Sequence, residues 1–221
     1  MIDYIIFLTY KLFKLIVLLL PKSLVKVFLD IFAKFVYFVN IKHKRYAKAN
    51  LDLVYKDTIT NHRKYEIIKN SYLNLVYNLY EFIENPTLNL EQLEQKIKVE
   101  NEDYMLDAMK NDRNIIIISA HYGNWEYITS FLSLKYKPTT MVGRPMSNKY
   151  LNKDMAINRH KHNSEMLNKK GSASGLLRAL KKNRVLGLAI DQHSSTGIDI
   201  EFLGQTASMV DSASRIALKT N

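Results

Sequence analysis

Beyond residue 100 the chain carries short apolar runs set between helical stretches, and this pattern most constrains its fold. IIIISA at 115–120, TTMVG at 139–143 and VLGLAI at 185–190 have the length and character of buried strands. LDAMKNDRN, just before the first run, reads as a helix end and turn. Residues 149–169 read as helical and polar. SGLLRALKK at 174–182 reads as a short amphipathic helix, capped by Ser172 or Ser174 and terminated at Asn183. IDIEFL at 198–203 alternates and is expected to be a fourth strand. Strands separated by helices imply an α/β fold with a mostly parallel sheet flanked by helices.

The first part of the chain is different. YIIFLTYKLFKLIVLLL at 4–20 is strongly apolar but is interrupted by Lys11 and Lys14. A spanning helix needs roughly 20 apolar residues, and a central lysine costs about 2.5–3.5 kcal/mol on insertion scales. A helix lying in or dipping into a bilayer fits better than a free-standing span. The next stretch, PKSLVKVFLDIFAKFVYFVN, places Lys22, Lys26, Asp30 and Lys34 four residues apart, one narrow polar stripe on an otherwise apolar helix. Such a helix needs a partner, protein or lipid, around most of its circumference, and lipid is favoured here. Lys42, His43, Lys44, Arg45 and Lys48 follow at once, a pattern suited to anionic head groups. Residues 1–48 are therefore expected to form membrane-associated helices with a basic segment, and 49–221 the α/β domain. Residues 61–84 read as a further amphipathic helix ended by Asn85-Pro86, while 89–99 fit a short helix or an extended segment equally.

Charge sharpens the choice of partner. Lys and Arg total 32 against 21 Asp and Glu, a formal charge of +11, which favours anionic partners. Aromatic residues bunch in the apolar N-terminal part and the chain has a single Trp, unlike a platform for stacking nucleic-acid bases. There is no cysteine, which excludes disulfides, a thiolate nucleophile and Cys-ligated zinc. His160 and His162 sit two apart on an expected helix and diverge, so no metal is implied, nor any other cofactor.

The first strand runs into His121-Tyr-Gly-Asn-Trp-Glu126. In α/β sheets chemistry collects beyond the carboxyl ends of strands, and VLGLAI likewise ends in Asp191-Gln192. Gly123 permits a tight turn, Asn124 caps the next helix, and Glu126 falls in that helix's first turn. From there its carboxylate is expected to face His121, fix the imidazole tautomer and stabilise the imidazolium. The pair would be a general base with no nucleophile of its own, acting on a substrate hydroxyl or water. The helix N-terminus nearby offers N–H groups to an anion. A structural histidine beside a surface glutamate is the plain alternative.

ISAHYGNWE resembles the His-x4-Asp/Glu motif of the lysophospholipid acyltransferase superfamily, in the form used by the lipid A biosynthesis acyltransferases that add secondary acyl chains. RYAKANLDLVY, VGRPMSNKYLN, INRHKHN and GSASGLLRALKKNRVLGLAIDQHSSTGIDIEFLGQTASM resemble further blocks of that family in the same order. The resemblance implies an N-terminal membrane helix, a location at the cytoplasmic face of the inner membrane, and contact with its anionic lipids. It implies transfer of a fatty acyl group from acyl-carrier protein to a hydroxyl of a glycolipid acceptor, a lipid A precursor. His121 and Glu126 carry over as the catalytic dyad. Gly123, Asn124, Arg144, Arg159, Asp191 and Gln192 carry over as substrate-binding positions. The two arginines suit phosphate or sugar-acid groups, and Asp191 could instead pair with one of them. The family continues past the position of Asn221, so the α/β domain is expected to lack its C-terminal part. Transfer to a lysophospholipid or glycerol phosphate, and a noncatalytic basic membrane-binding role, are the alternatives.

Overall fold

A computed structural model describes residues 1–169 and 171–220. The chain divides into two compact units, one of residues 9–81 and 199–207, the other of residues 1–8, 82–198 and 208 onward.

The first unit is built on helices α1 (Ile2–Leu19), α2 (Lys22–Val39), α3 (Ile41–Tyr55) and α4 (Asn61–Glu84). Pro21 sits just ahead of α2, where its missing N–H costs nothing. Val25, Leu29 and Ala33, spaced four apart on one face of α2, are buried, as are Ile68, Tyr72 and Val76 on α4. Phe13 packs against Phe28 and Phe32 with ring centroids 5.7 and 5.3 Å away. Lys64 is buried at 5 % exposure, an unusual place for a cation. Its Nζ donates to Asp52 Oδ1 at 2.8 Å and to the carbonyl of Lys56 at 2.5 Å. The basic cluster lies on α3, and residue 48, where the sequence reading divides the chain, is inside that helix. Among the described residues no helix is long and apolar enough to cross a membrane. The N-terminal membrane helix implied by the resemblance is thus not seen as a span.

The second unit holds the α/β domain. Asn85-Pro86-Thr87 forms a single 3-10 turn after α4. Then come α5 (Leu90–Glu94), α6 (Asp103–Lys110), β1 (Ile116–Ser119), α7 (Trp125–Lys135), β2 (Thr139–Gly143), α8 (Lys149–Arg159), β3 (Glu165–Asn168), α9 (Ser172–Lys181) and β4 (Val185–Ala189). The four strands form one parallel sheet in the order β1-β4-β2-β3. Leu176, Ala179 and Leu180 of α9 pack with Leu186 and Leu188 of β4. Leu132 of α7 packs with Ile115 and Val185. Arg184 ties the amino-terminal edge together, donating to Thr140 Oγ1 and to the carbonyls of Thr139 and Asn163 at 2.7–2.8 Å.

Three sequence expectations need correction. The helix expected over 149–169 stops at Arg159, because His162 and Asn163 turn into the left-handed region (φ 57° and 59°) and EMLN then joins the sheet as edge strand β3. The strand expected at 198–203 is not the fourth strand of that sheet. It is the end of β5 (His193–Phe202), which pairs with β6 (Gln205–Met209) in a separate hairpin across Leu203-Gly204. Both turn residues have positive φ, the geometry that suits a two-residue hairpin loop. Neither Ser172 nor Ser174 caps α9. Gly171 occupies that position with φ 77°, and among the described residues it makes no side-chain cap bond. Asn183 does end the helix region with φ 54°. The segment 89–99 contains α5, opened by a capping box between Asn89 and Gln92. The terminal stretch forms α10 (Ser212–Thr220), and Asn221 lies outside the described residues.

Candidate functional site

The register of β1 against β4 builds the site. Ser119 lies opposite Ala189, and the amide of Ile190 still donates to the carbonyl of Ser119 at 3.1 Å. Two residues further on, His121 and Asp191 meet just past the carboxyl ends of neighbouring strands. Asp191 Oδ2 accepts the backbone N–H of His121 at 2.7 Å, and Oδ1 lies 2.8 Å from the imidazole Nδ1. A carboxylate only accepts, so this contact places the ring proton on Nδ1 and leaves Nε2 as the basic atom. Nε2 lies 3.5 Å from the side-chain nitrogen of Gln192, too far for a strong bond. Trp125 packs edge to face with the imidazole, with centroids 5.0 Å apart. Burial pushes the Asp191 carboxyl up, but hydrogen bonds from the His121 side chain and backbone outweigh it and hold the group below its ordinary value.

Glu126 does not take the place expected for it. It lies in the first turn of α7, as the sequence implies, and Asn124 Oδ1 accepts its backbone amide at 3.1 Å, so Asn124 is the cap. Gly123 supplies the turn with φ 60°. The Glu126 carboxylate, however, points to Arg159 at the end of α8, which donates from Nη2 at 2.5 Å and from Nε at 3.3 Å. The guanidinium satisfies both of the carboxylate's oxygens. The carboxylate that orients His121 is Asp191. That also corrects the notion that Asp191 pairs with an arginine.

Asn85 and Glu84 hold the same turn from behind. Asn85 Nδ2 donates to the carbonyl of Glu126 at 3.1 Å, and Tyr127 Oη donates to Glu84 Oε2 at 3.1 Å. Sequence reasoning does not find them, since Asn-Pro reads only as a helix stop. Trp125 is also missed as the ring beside His121, although it sits within the quoted motif.

His121, Trp125, Glu126, Arg159 and Gln192 line one cleft of about 420 Å³. Its walls combine apolar side chains, among them Met141, Met166, Leu176 and Leu188, with the cations Arg144 and Lys169. Arg144 is exposed and has no acidic partner among the described residues. Among the described residues no three His, Asp or Glu side chains group as a metal site would need.

A parallel α/β domain with an oriented histidine over a cleft that is part apolar and part cationic suits chemistry on an amphiphile. The chain belongs to the bacterial lipid A biosynthesis acyltransferase family, whose model matches residues 1–221. It is an acyltransferase by that membership. No curated protein matches it.

Proposed function

We propose that the protein moves a fatty acyl group from acyl-carrier protein to a hydroxyl of a lipid A precursor at the cytoplasmic face of the inner membrane, with His121 as general base. The observation that carries this is the double hold of Asp191 on His121, through the backbone amide and Nδ1, which leaves Nε2 as the proton acceptor. The acceptor hydroxyl gives its proton to Nε2 as its oxygen attacks the thioester carbonyl. The tetrahedral oxyanion is steadied by backbone N–H groups of the turn leading into α7. Collapse breaks the C–S bond, forms the new ester, and returns the proton from the imidazolium to the departing thiolate. Asp191 stabilises the imidazolium in between. Glu126 and Arg159 hold the turn that carries the oxyanion donors, a different task from the dyad role the motif suggested for Glu126. Arg144 and Lys169 supply charge for a phosphate or sugar acid, and Gln192 polar contact beside the base.

The test is transfer from labelled acyl-carrier protein to the tetra-acylated, sugar-acid-bearing precursor, run beside His121→Ala. Transfer that falls about 10²–10⁴-fold in the variant, with folding intact, supports the assignment. A folded wild-type protein that transfers nothing to this acceptor but acylates a lysophospholipid would overturn the lipid A reading.

A further inference from the structure

The helical unit carries a second cavity, of about 280 Å³, between α2 and α4. Lys34 and Tyr37 line it from α2, and Lys69, Asn70 and Leu73 from α4. Neither Lys34 nor Lys69 has an ion pair or hydrogen bond among the described residues, and both are exposed. Asp30 also lines the cavity, but its carboxylate accepts Tyr77 Oη at 2.9 Å. The ring of Tyr37 is covered by Lys44 Nζ, 4.5 Å from its centroid. Two ammonium groups, an amide and a phenol facing one small space are donors matched to the oxygens of a phosphodiester.

A second observation says where such a phosphodiester comes from. Leu24, Val27, Ile31, Phe35 and Phe38 recur every three or four residues along α2 and are between 53 % and 77 % exposed. At 100° per residue they form one stripe, separate from the buried Val25, Leu29 and Ala33. The same geometry puts Lys34 between this stripe and the cavity. A helix with an apolar ridge on one side and lysines beside it sits in the plane of a membrane interface, its ridge among the acyl chains. At that depth the cavity lies at head-group level, and the basic α3 adds attraction to an anionic surface.

We infer that α2 seats in the bilayer interface and that the Lys34–Lys69 cavity holds the phosphodiester head group of an anionic phospholipid. This binding is independent of acyl transfer, so His121→Ala should bind as the unaltered chain does. The experiment is sedimentation of the full-length protein with vesicles of phosphatidylcholine alone or with added phosphatidylglycerol. Lys34→Gln with Lys69→Gln should lose the preference for anionic vesicles by roughly tenfold or more. A control of equal charge, Lys98→Gln with Lys110→Gln, should keep it. Ile31→Ser with Phe35→Ser should weaken binding to both vesicle types. Circular dichroism melts would confirm that each variant folds. Equal loss in the control pair would reduce the effect to bulk charge and overturn the site. Displacement from vesicles by millimolar glycerol phosphate would assign the cavity to a soluble phosphoester and overturn the lipid source.

Discussion

Asp191 spends both oxygens on His121, and each bond has its own consequence. The bond to Nδ1 sets the tautomer, so Asp191→Asn is expected to lower kcat by about 10²–10⁴-fold, comparable to losing a general base. A pH profile of transfer checks it, because a mere packing role would leave the profile's shape unchanged. The same bonds make a stability statement. A carboxyl held below its ordinary value stabilises the fold above about pH 4 and loses that contribution as pH falls through its lowered value. Acid unfolding of Asp191→Asn should accordingly lack part of the steep limb below about pH 4. The Glu126–Arg159 pair behaves differently. Its side chains are only 16 % and 23 % exposed, and Arg159 also stacks 5.6 Å from the Phe82 ring. Arg159→Met should cost roughly 2 kcal/mol in urea unfolding, since it leaves Glu126 half-buried without its cation. His121, Asp191 and Glu126 are all legible in the sequence as polar residues at strand ends or a helix start. Their partners are not, because an apolar run carries no record of which strand lies beside it.

Turns and edges decide the elements. Gly123 has φ 60°, and a β-carbon there would meet nothing within 4 Å. Gly123→Ala is thus expected to fit in space yet cost about 1–2 kcal/mol in backbone strain, read as a lower melting temperature. Gly197→Ala is more severe. Its β-carbon would fall 1.9 Å from the Met209 carbonyl, so the β5–β6 hairpin must open, visible as lost amide protection. Strands β1, β2 and β4 are legible because each is a short apolar run, and helix α4 because its apolar face keeps the helical period. Strand β3 is not, because EMLN is short and polar and sits at the sheet edge, where one side needs no partner. The end of β5, 198–202, is legible as a strand from its alternation, but its place in a separate hairpin is not, and 193–197 leaves no mark because most of its residues are exposed.

At the scale of the molecule, His162 links pH to stability. Burial lowers its pKa more than the Asn85 carbonyl raises it, and Lys161 lowers it further. In the unfolded chain the group takes a proton near pH 6.5, whereas the folded chain resists it. Stability contributed by the neutral ring is present above about pH 6.5 and is lost as pH falls below it. The melting temperature should drop between pH 7 and 5, and drop less in His162→Asn, which tolerates the left-handed backbone at that position.

The strand order carries one more consequence. β4 lies between β1 and β2, yet it is the last of the four to leave the ribosome. Until residues 185–189 emerge, β1 and β2 have no shared ladder, and their facing amides wait for a strand still being made. The same late insertion brings Asp191 to His121. A nascent chain therefore holds His121 without the carboxylate that fixes its ring, and on the proposed mechanism it stays chemically silent until the sheet is closed.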